Sequence, residues 1–155
     1  MTIELAALSE AGAGFVVGTV APDGTPCATR AWSAEVIDDD QRRVRFMVSA
    51  DEAVVIENLQ GAGVCLTAAH VATFRSVQWK GQVVAIEPPT ANDLAIAEAH
   101  TTRFFDAVNR IDGTPFELLD RMRPIEVLAV EMIVDEIYDQ TPGPGAGAAL
   151  DGPSR

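Results

Sequence analysis

Two short runs of strand-forming residues each carry a pair of polar or aromatic side chains two positions apart. Arg30 and Trp32 stand in Ala28-Thr29-Arg30-Ala31-Trp32, and Gln78 and Lys80 stand in Ser76-Val77-Gln78-Trp79-Lys80-Gly81. In an extended chain that spacing places both members of a pair on one face of a sheet. Ser49 follows a third apolar run and opens Ser49-Ala50-Asp51-Glu52, which has the spacing of a capping box. The start of a helix offers free N–H groups and the positive end of its dipole, both suited to an anion. Other chemistries find less support. His70 and His100 are the only histidines and have no His or Cys at i+3 or i+4 to complete a zinc face. The sequence contains no Gly-x-Ser-x-Gly elbow. Gly143, Gly145 and Gly147 lie near the C-terminus with no Lys beside them, which is not the pattern of a phosphate loop.

These residues need elements to hold them. Residues 3–11 read as a short amphipathic helix ended by Gly12 and Gly14. Strands are expected over 15–20, 26–37 and 44–48, joined by the Ala21-Pro22-Asp23-Gly24-Thr25 turn and the polar turn at 38–41. Short connections make these three an antiparallel meander. A helix then runs from the Ser49–Glu52 box through Val54, Val55 and Leu59, and strands follow at 64–68 and 76–86. Pro88-Pro89 ends the fifth strand. Thr90-Ala91-Asn92-Asp93 opens the longest helix, with Leu94, Thr101, Phe104, Phe105, Val108 and Ile111 along one side and Gly113 as its stop. A short helix begins at Thr114–Glu117, and a sixth strand spans 125–138. Six short, mostly antiparallel strands with intervening helices predict a closed or nearly closed β-barrel over residues 1–140. The Gly/Pro/Ala-rich segment 141–155 reads as a flexible tail.

Composition bounds the partners. The chain has 155 residues, 48% of them apolar, which is enough for one packed domain. It carries 23 acidic residues against 11 basic ones, a net charge of −12, and Lys80 is its sole lysine. No basic face is available to displace counterions from nucleic acid, and the same acidity opposes docking on anionic membranes. The first fourteen residues lack a basic region, and no apolar run is long enough to span a bilayer. Cys27 and Cys65 sit in strand-like runs and read as buried thiols, so a cytoplasmic location is expected.

Taken in order, Ala28-Thr29-Arg30-Ala31-Trp32, Phe46-Met47-Val48-Ser49 before a helix, Asn58-Leu59 before strand four, and Ser76-Val77-Gln78-Trp79-Lys80-Gly81 resemble the pyridoxamine 5'-phosphate oxidase-like superfamily of flavin-binding split β-barrels. The resemblance covers residues 13–138. It implies a six-stranded antiparallel split barrel, a homodimer, and one flavin mononucleotide (FMN) per subunit at the dimer interface. By that resemblance Arg30 holds the cofactor phosphate, and Ala31 and Trp32 line the isoalloxazine. Met47, Val48 and Ser49 meet the ring and the ribityl phosphate, Gln78 touches the flavin, and Lys80 is its neighbour on the same face. A guanidinium pairs with phosphate in a fork, and an amide can hydrogen-bond a ring carbonyl or nitrogen. Family members include oxidases, flavin reductases, deazaflavin-dependent reductases and haem-utilisation proteins, so the resemblance implies an FMN-dependent oxidoreductase acting on a small molecule without naming the reaction.

One segment departs from the pattern. Residues 50–57 read Ala-Asp-Glu-Ala-Val-Val-Ile-Glu and contain no Lys or Arg where relatives place one or two. That favours a second reading: a split-barrel dimer without FMN affinity, which acts as a binding module or takes haem or a deazaflavin. Local structure also offers plainer roles. Arg30 would pair with an acid of the 38–40 turn, Trp79 would be a core aromatic, Ser49 an N-cap, His70 a turn residue, His100 a structural helix residue, and Gln140-Thr141-Pro142 a terminal loop.

Overall fold

A computed structural model describes residues 2–61 and 63–151. Helix α1 (Thr2–Glu10) precedes strands β1 (Gly14–Val20), β2 (Pro26–Asp38) and β3 (Arg43–Ser49). Helix α2 (Ala53–Leu59) leads to β4 (Gly63–Ala69) and β5 (Ser76–Glu87). Helices α3 (Ala91–Asp112) and α4 (Phe116–Asp120) follow, then β6 (Val127–Asp139) and β7 (Ala149–Asp151). The strands pair in the order β3-β2-β1-β4-β5-β6, and β3 pairs with β6 to close a six-stranded barrel, antiparallel throughout.

Strict alternation of side chains builds the interior. Phe15 and Val17 of β1, Leu66 of β4, Val77 and Trp79 of β5, and Phe46 and Val48 of β3 all face inward and are buried. Each such side chain contributes about 2 kcal/mol of burial. Leu5 and Leu8 of α1 and Val55 and Leu59 of α2 join this cluster and plug the barrel. Gly81 marks a bulge where β5 shifts register against β6. A Cβ there would stand 1.8 Å from the Ile133 carbonyl oxygen, so only glycine fits.

A second, smaller core lies outside the barrel. There α3 packs Ala97 and Phe105 against Trp32, Met47 and Ala129 on the outer faces of β2, β3 and β6. The helix opens with the expected capping box, in which Thr90 accepts from the Asp93 N–H at 3.2 Å and Asp93 accepts from the Thr90 N–H at 2.7 Å. The same carboxylate receives Arg45 of β3 in a fork, both contacts at 3.0 Å, so the helix start is tied to the barrel. Arg45 also reaches Glu131 at 2.6 Å and Glu87 at 3.4 Å.

Several expectations change. The Ser49–Glu52 capping box does not form, because Ser49 is still paired with Val127 in the β3–β6 ladder and the Ala50 N–H continues that ladder to Glu126. A turn intervenes, and α2 begins at Ala53 with Glu52 at its cap and no side-chain cap bond. Arg30 does not pair with the 38–40 turn, whose Asp38 instead accepts from the Gln41 N–H at 2.9 Å. Leu94 and Ile111 are exposed, and the buried face of α3 runs through Asp93, Ala97, His100, Thr101 and Phe105. The tail folds back in a turn that returns the Gly147 N–H to the Asp139 carbonyl at 2.7 Å, and β7 pairs with β6 as a seventh strand. That strand takes the edge of β6 that β3 leaves free. The tail's last four residues, 152–155, lie outside the described residues.

Candidate functional site

Cross-strand register decides which of the chemically capable residues meet. Arg30 on β2 pairs with Val16 on β1, Val16 with Thr67 on β4, Thr67 with Gln78 on β5, and Gln78 with Tyr138 on β6. One row along, Ala28, Gly18, Cys65, Lys80 and Glu136 align in the same way. Their chain neighbours Phe15, Val17, Leu66, Val77 and Trp79 fill the barrel, so both rows lie on its outer face. Arg30, Gln78 and Lys80, distant in sequence, therefore share one surface. Arg30 and Gln78 are three strand spacings apart, about 14 Å.

The floor between them is apolar and low. Val16 and Val20 of β1 are each 48% exposed. A groove of ≈ 700 Å³ runs along the second row, floored by Gly18, Ala28 and Cys65 and bordered by Lys80, Asp135 and Glu136. Its depth depends on Gly18, since a Cβ at that position would come within 2.6 Å of the Cys65 sulfur. Such a volume is ordinary for a small-molecule site, and a flat floor of small residues suits a planar ring.

The polar groups around the floor differ in how far they are committed. Arg30 is half-buried and places its guanidinium 4.7 Å from the Phe104 ring centre and 5.6 Å from that of Trp32. It forms no hydrogen bond or ion pair among the described residues, and burial lowers its pKa from the usual arginine value. Gln78 donates to the Thr67 hydroxyl at 3.0 Å and accepts from Gln140 at 3.4 Å. Lys80 lies over the Tyr138 ring at 4.6 Å, and the Tyr138 hydroxyl donates to Glu136 at 2.8 Å.

The remaining sequence candidates stand elsewhere. The side chains of Ala31 and Val48 point into the barrel core, so only their backbone could meet a ligand. Trp32 and Met47 face outward but lie under α3. Ser49 sits at the end of β3 and donates its hydroxyl proton to the Asp51 carboxylate. Nearby, Thr29 donates to Glu52 at 2.8 Å. The hydroxyl protons of Ser49 and Thr29 are thus taken by the acids of the 51–52 turn. Residues 50–57 add no cation to Arg30, which fits poorly with a bound phosphate, since that needs donors and positive charge.

A second concavity of ≈ 510 Å³ opens between α3 and residues 123–128, with Trp32, Leu94, Thr101 and Leu128 among its walls. Its cation, Arg123, is spent on Glu98 at 2.6 Å and Asp120 at 2.5 Å. His70 is engaged in its turn, where Nδ1 accepts from the N–H groups of Ala72 and Thr73. His100 is buried on α3. Among the described residues no group of three or more His, Cys, Asp or Glu side chains is placed to hold a metal ion. No helix among them is long and apolar enough to cross a membrane.

Sequence reasoning missed the residues that make the floor, Val16, Gly18, Cys65 and Thr67, as well as Phe104 beneath Arg30. Alternation within β1 marks Val16 and Gly18 as outward-facing. The position of Phe104 depends on how α3 packs, and no local pattern reports that.

No protein-family model matches the chain, and no curated protein matches it either. Solved structures do match. HupZ of Group A Streptococcus is 15% identical with a TM-score of 0.58, the match covering 95% of this chain and 99% of that one. A pyridoxamine 5'-phosphate oxidase-related, FMN-binding protein from Nostoc punctiforme is 10% identical with a TM-score of 0.50, over 92% and 83% of the two chains. HutZ, the haem storage protein of Vibrio cholerae, is 11% identical with a TM-score of 0.51, over 88% and 92%. At these identities the likeness is one of fold. The chain has the split β-barrel of the pyridoxamine 5'-phosphate oxidase-like proteins.

Proposed function

We propose that this split barrel holds a planar ring of the flavin class on the outer face of β1, β2, β4 and β5, as one half of a symmetric pair, and serves as an oxidoreductase for a small molecule. The observation that carries this reading is the shared row of Arg30 and Gln78 beside a groove floored by Ala28, Gly18 and Cys65. The FMN-binding relative of the same fold supports it. A flavin supplies the redox chemistry when bound, and the chain's own part is to seat and orient the ring. Gln78 offers an amide to a ring carbonyl or nitrogen. Arg30, poised on Phe104 and Trp32, offers the one uncommitted guanidinium of the face.

A second reading has its own support. Residues 50–57 lack any cation, and Thr29 and Ser49 are already hydrogen-bonded to Glu52 and Asp51. These features favour a barrel that takes no FMN, and the haem storage protein of the same fold gives haem as the other ring to test.

Titration separates the two. The purified protein is added to riboflavin, to FMN and to haemin while flavin fluorescence and the haem absorption band are followed. Micromolar quenching of a flavin, weakened about tenfold or more in Arg30→Ala, is the expected result. Quenching of neither flavin, with or without a haem band, overturns the first reading.

A further inference from the structure

We infer that the β4–β5 turn is a proton-sensitive catch: neutral His70 holds Phe74 outward in a constrained conformation, and a proton on His70 Nδ1 releases it. The inference is independent of what the barrel binds.

The turn joins Ala69 to Ser76. Two backbone hydrogen bonds close it, from the His70 N–H to the Arg75 carbonyl and from the Phe74 N–H to the His70 carbonyl, each at 2.9 Å. Between them the His70 ring stands where a turn more often has an Asn or Asp side chain. Its Nδ1 accepts from the Ala72 N–H at 3.2 Å and from the Thr73 N–H at 3.1 Å. A ring nitrogen that accepts carries no proton, so this geometry requires the neutral imidazole with its hydrogen on Nε2. Protonation would set an N–H at Nδ1 against two backbone N–H groups, so three donors would meet with no acceptor among them. Histidine is the side chain suited to gain a proton at mildly acidic pH.

What the catch holds is Phe74. Its φ of 59° lies in the left-handed region, which is unfavourable for a bulky L residue, and at 64% exposure it gains little packing in return. The bonds that keep it there are those of the turn, together with one from the Ser76 hydroxyl to the Phe74 carbonyl at 2.8 Å. Once Nδ1 ceases to accept, the Ala72 and Thr73 N–H groups are freed and Phe74 can return to the ordinary region of negative φ.

The charged groups around the turn do not replace the imidazole. His70, Thr73 and Arg75 form one wall of a cleft of ≈ 210 Å³ whose other wall is Glu4, Ala7, Leu8 and Ala11 of α1. Glu4, the one acid lining that cleft, takes the Arg75 guanidinium. From β6, Asp139 is held below the usual carboxylate range by its hydrogen bonds from Thr141 and also by the charge of Arg75. Both acids thus face Arg75, and the Ala72 and Thr73 side of the turn depends on His70.

Nuclear magnetic resonance reads the catch directly. As the pH falls from about 8 to about 4.5, the Ala72 and Thr73 amide protons should shift upfield together with the His70 imidazole titration, because their hydrogen bonds are lost. The φ-dependent coupling of Phe74 should change at the same midpoint. In His70→Asn the side-chain oxygen accepts in the same place without titrating, so the turn should stay closed at every pH. In His70→Ala it should be open already at about pH 8. Three results would each overturn the inference: an imidazole that stays neutral throughout, one that takes its proton while Phe74 keeps its conformation, or a Phe74 that responds to pH equally in His70→Asn.

Discussion

His100 shows how one side chain couples the N-terminal helix to pH. Its ring packs 4.9 Å from that of Phe15, and its Nδ1 lies 3.4 Å from the Ser9 hydroxyl, so it joins α3 to both α1 and β1. Only 2% of it is exposed. Burial pushes its pKa down to about 4, and Arg103 and Arg30 nearby act in the same direction. The unfolded chain protonates this imidazole near pH 6.5, whereas the folded one resists until about pH 4. Stability is therefore intact above pH 6.5 and falls as the pH drops toward 4, with a total loss on the order of 3 kcal/mol. Urea midpoints measured between pH 7 and 4 should show that decline in the unmutated protein. In His100→Gln the starting stability should be lower and this part of the decline absent, so an equal slope in the two proteins would remove His100 as the cause. Its place on a helix was readable from sequence. Its burial was not, because Ser9 and Phe15 lie far away along the chain.

At the scale of elements, α3 is the piece whose attachment depends most on charge. Arg45 is 8% exposed and binds three carboxylates, from α3, β5 and β6, at once. Burial alone would raise the Asp93 carboxyl, but the hydrogen bonds from Arg45 and Thr90 outweigh it and leave the pKa below the usual carboxylate range. Glu35, paired with Arg45 across β2 and β3, goes the other way, raised by burial and by the charge of Asp93. Asp93→Ala removes the forked pair and the capping box together. It should cost about 3 kcal/mol, the low end for breaking a buried pair, because Glu131 and Glu87 still hold the guanidinium. A urea or thermal melt reads that loss, and a change under about 1 kcal/mol would mean that the clamp contributes little. The capping box was legible as Thr90-Ala91-Asn92-Asp93, since both partners lie within one turn. Arg45 was not, because its partners come from three separate elements. The Ser49–Glu52 box failed for a related reason: the local pattern was right, but the β3–β6 ladder held Ser49 as a strand residue.

For the whole molecule, the question is what covers the outer face of the barrel. The six strands and the β1–β2–β3 meander were readable from alternation and short connections; the β1–β4 and β3–β6 pairings were not, and neither was β7, because a Gly/Pro-rich tail shows its pairing only against β6. What the fold leaves open is a β1 strand presenting Val16 and Val20, each 48% exposed, beside Gly18 and Cys65. Two copies related by a two-fold axis would bury this face against itself, and a stable pair needs about 800 Å² from each. Each copy carries a net charge of −12, so close approach works against long-range repulsion. Association should therefore strengthen as salt rises from about 0.01 to 0.15 M, a range over which the Debye length falls from about 30 to 8 Å. Sedimentation at micromolar concentration should show a dimer in the unmutated protein. Val16→Lys puts a charge at the centre of the face while leaving the barrel interior untouched, so it should give a folded monomer with an unchanged circular dichroism spectrum. A dimer that survives the substitution would place the interface elsewhere, and a monomer in the unmutated protein would leave each groove to act alone.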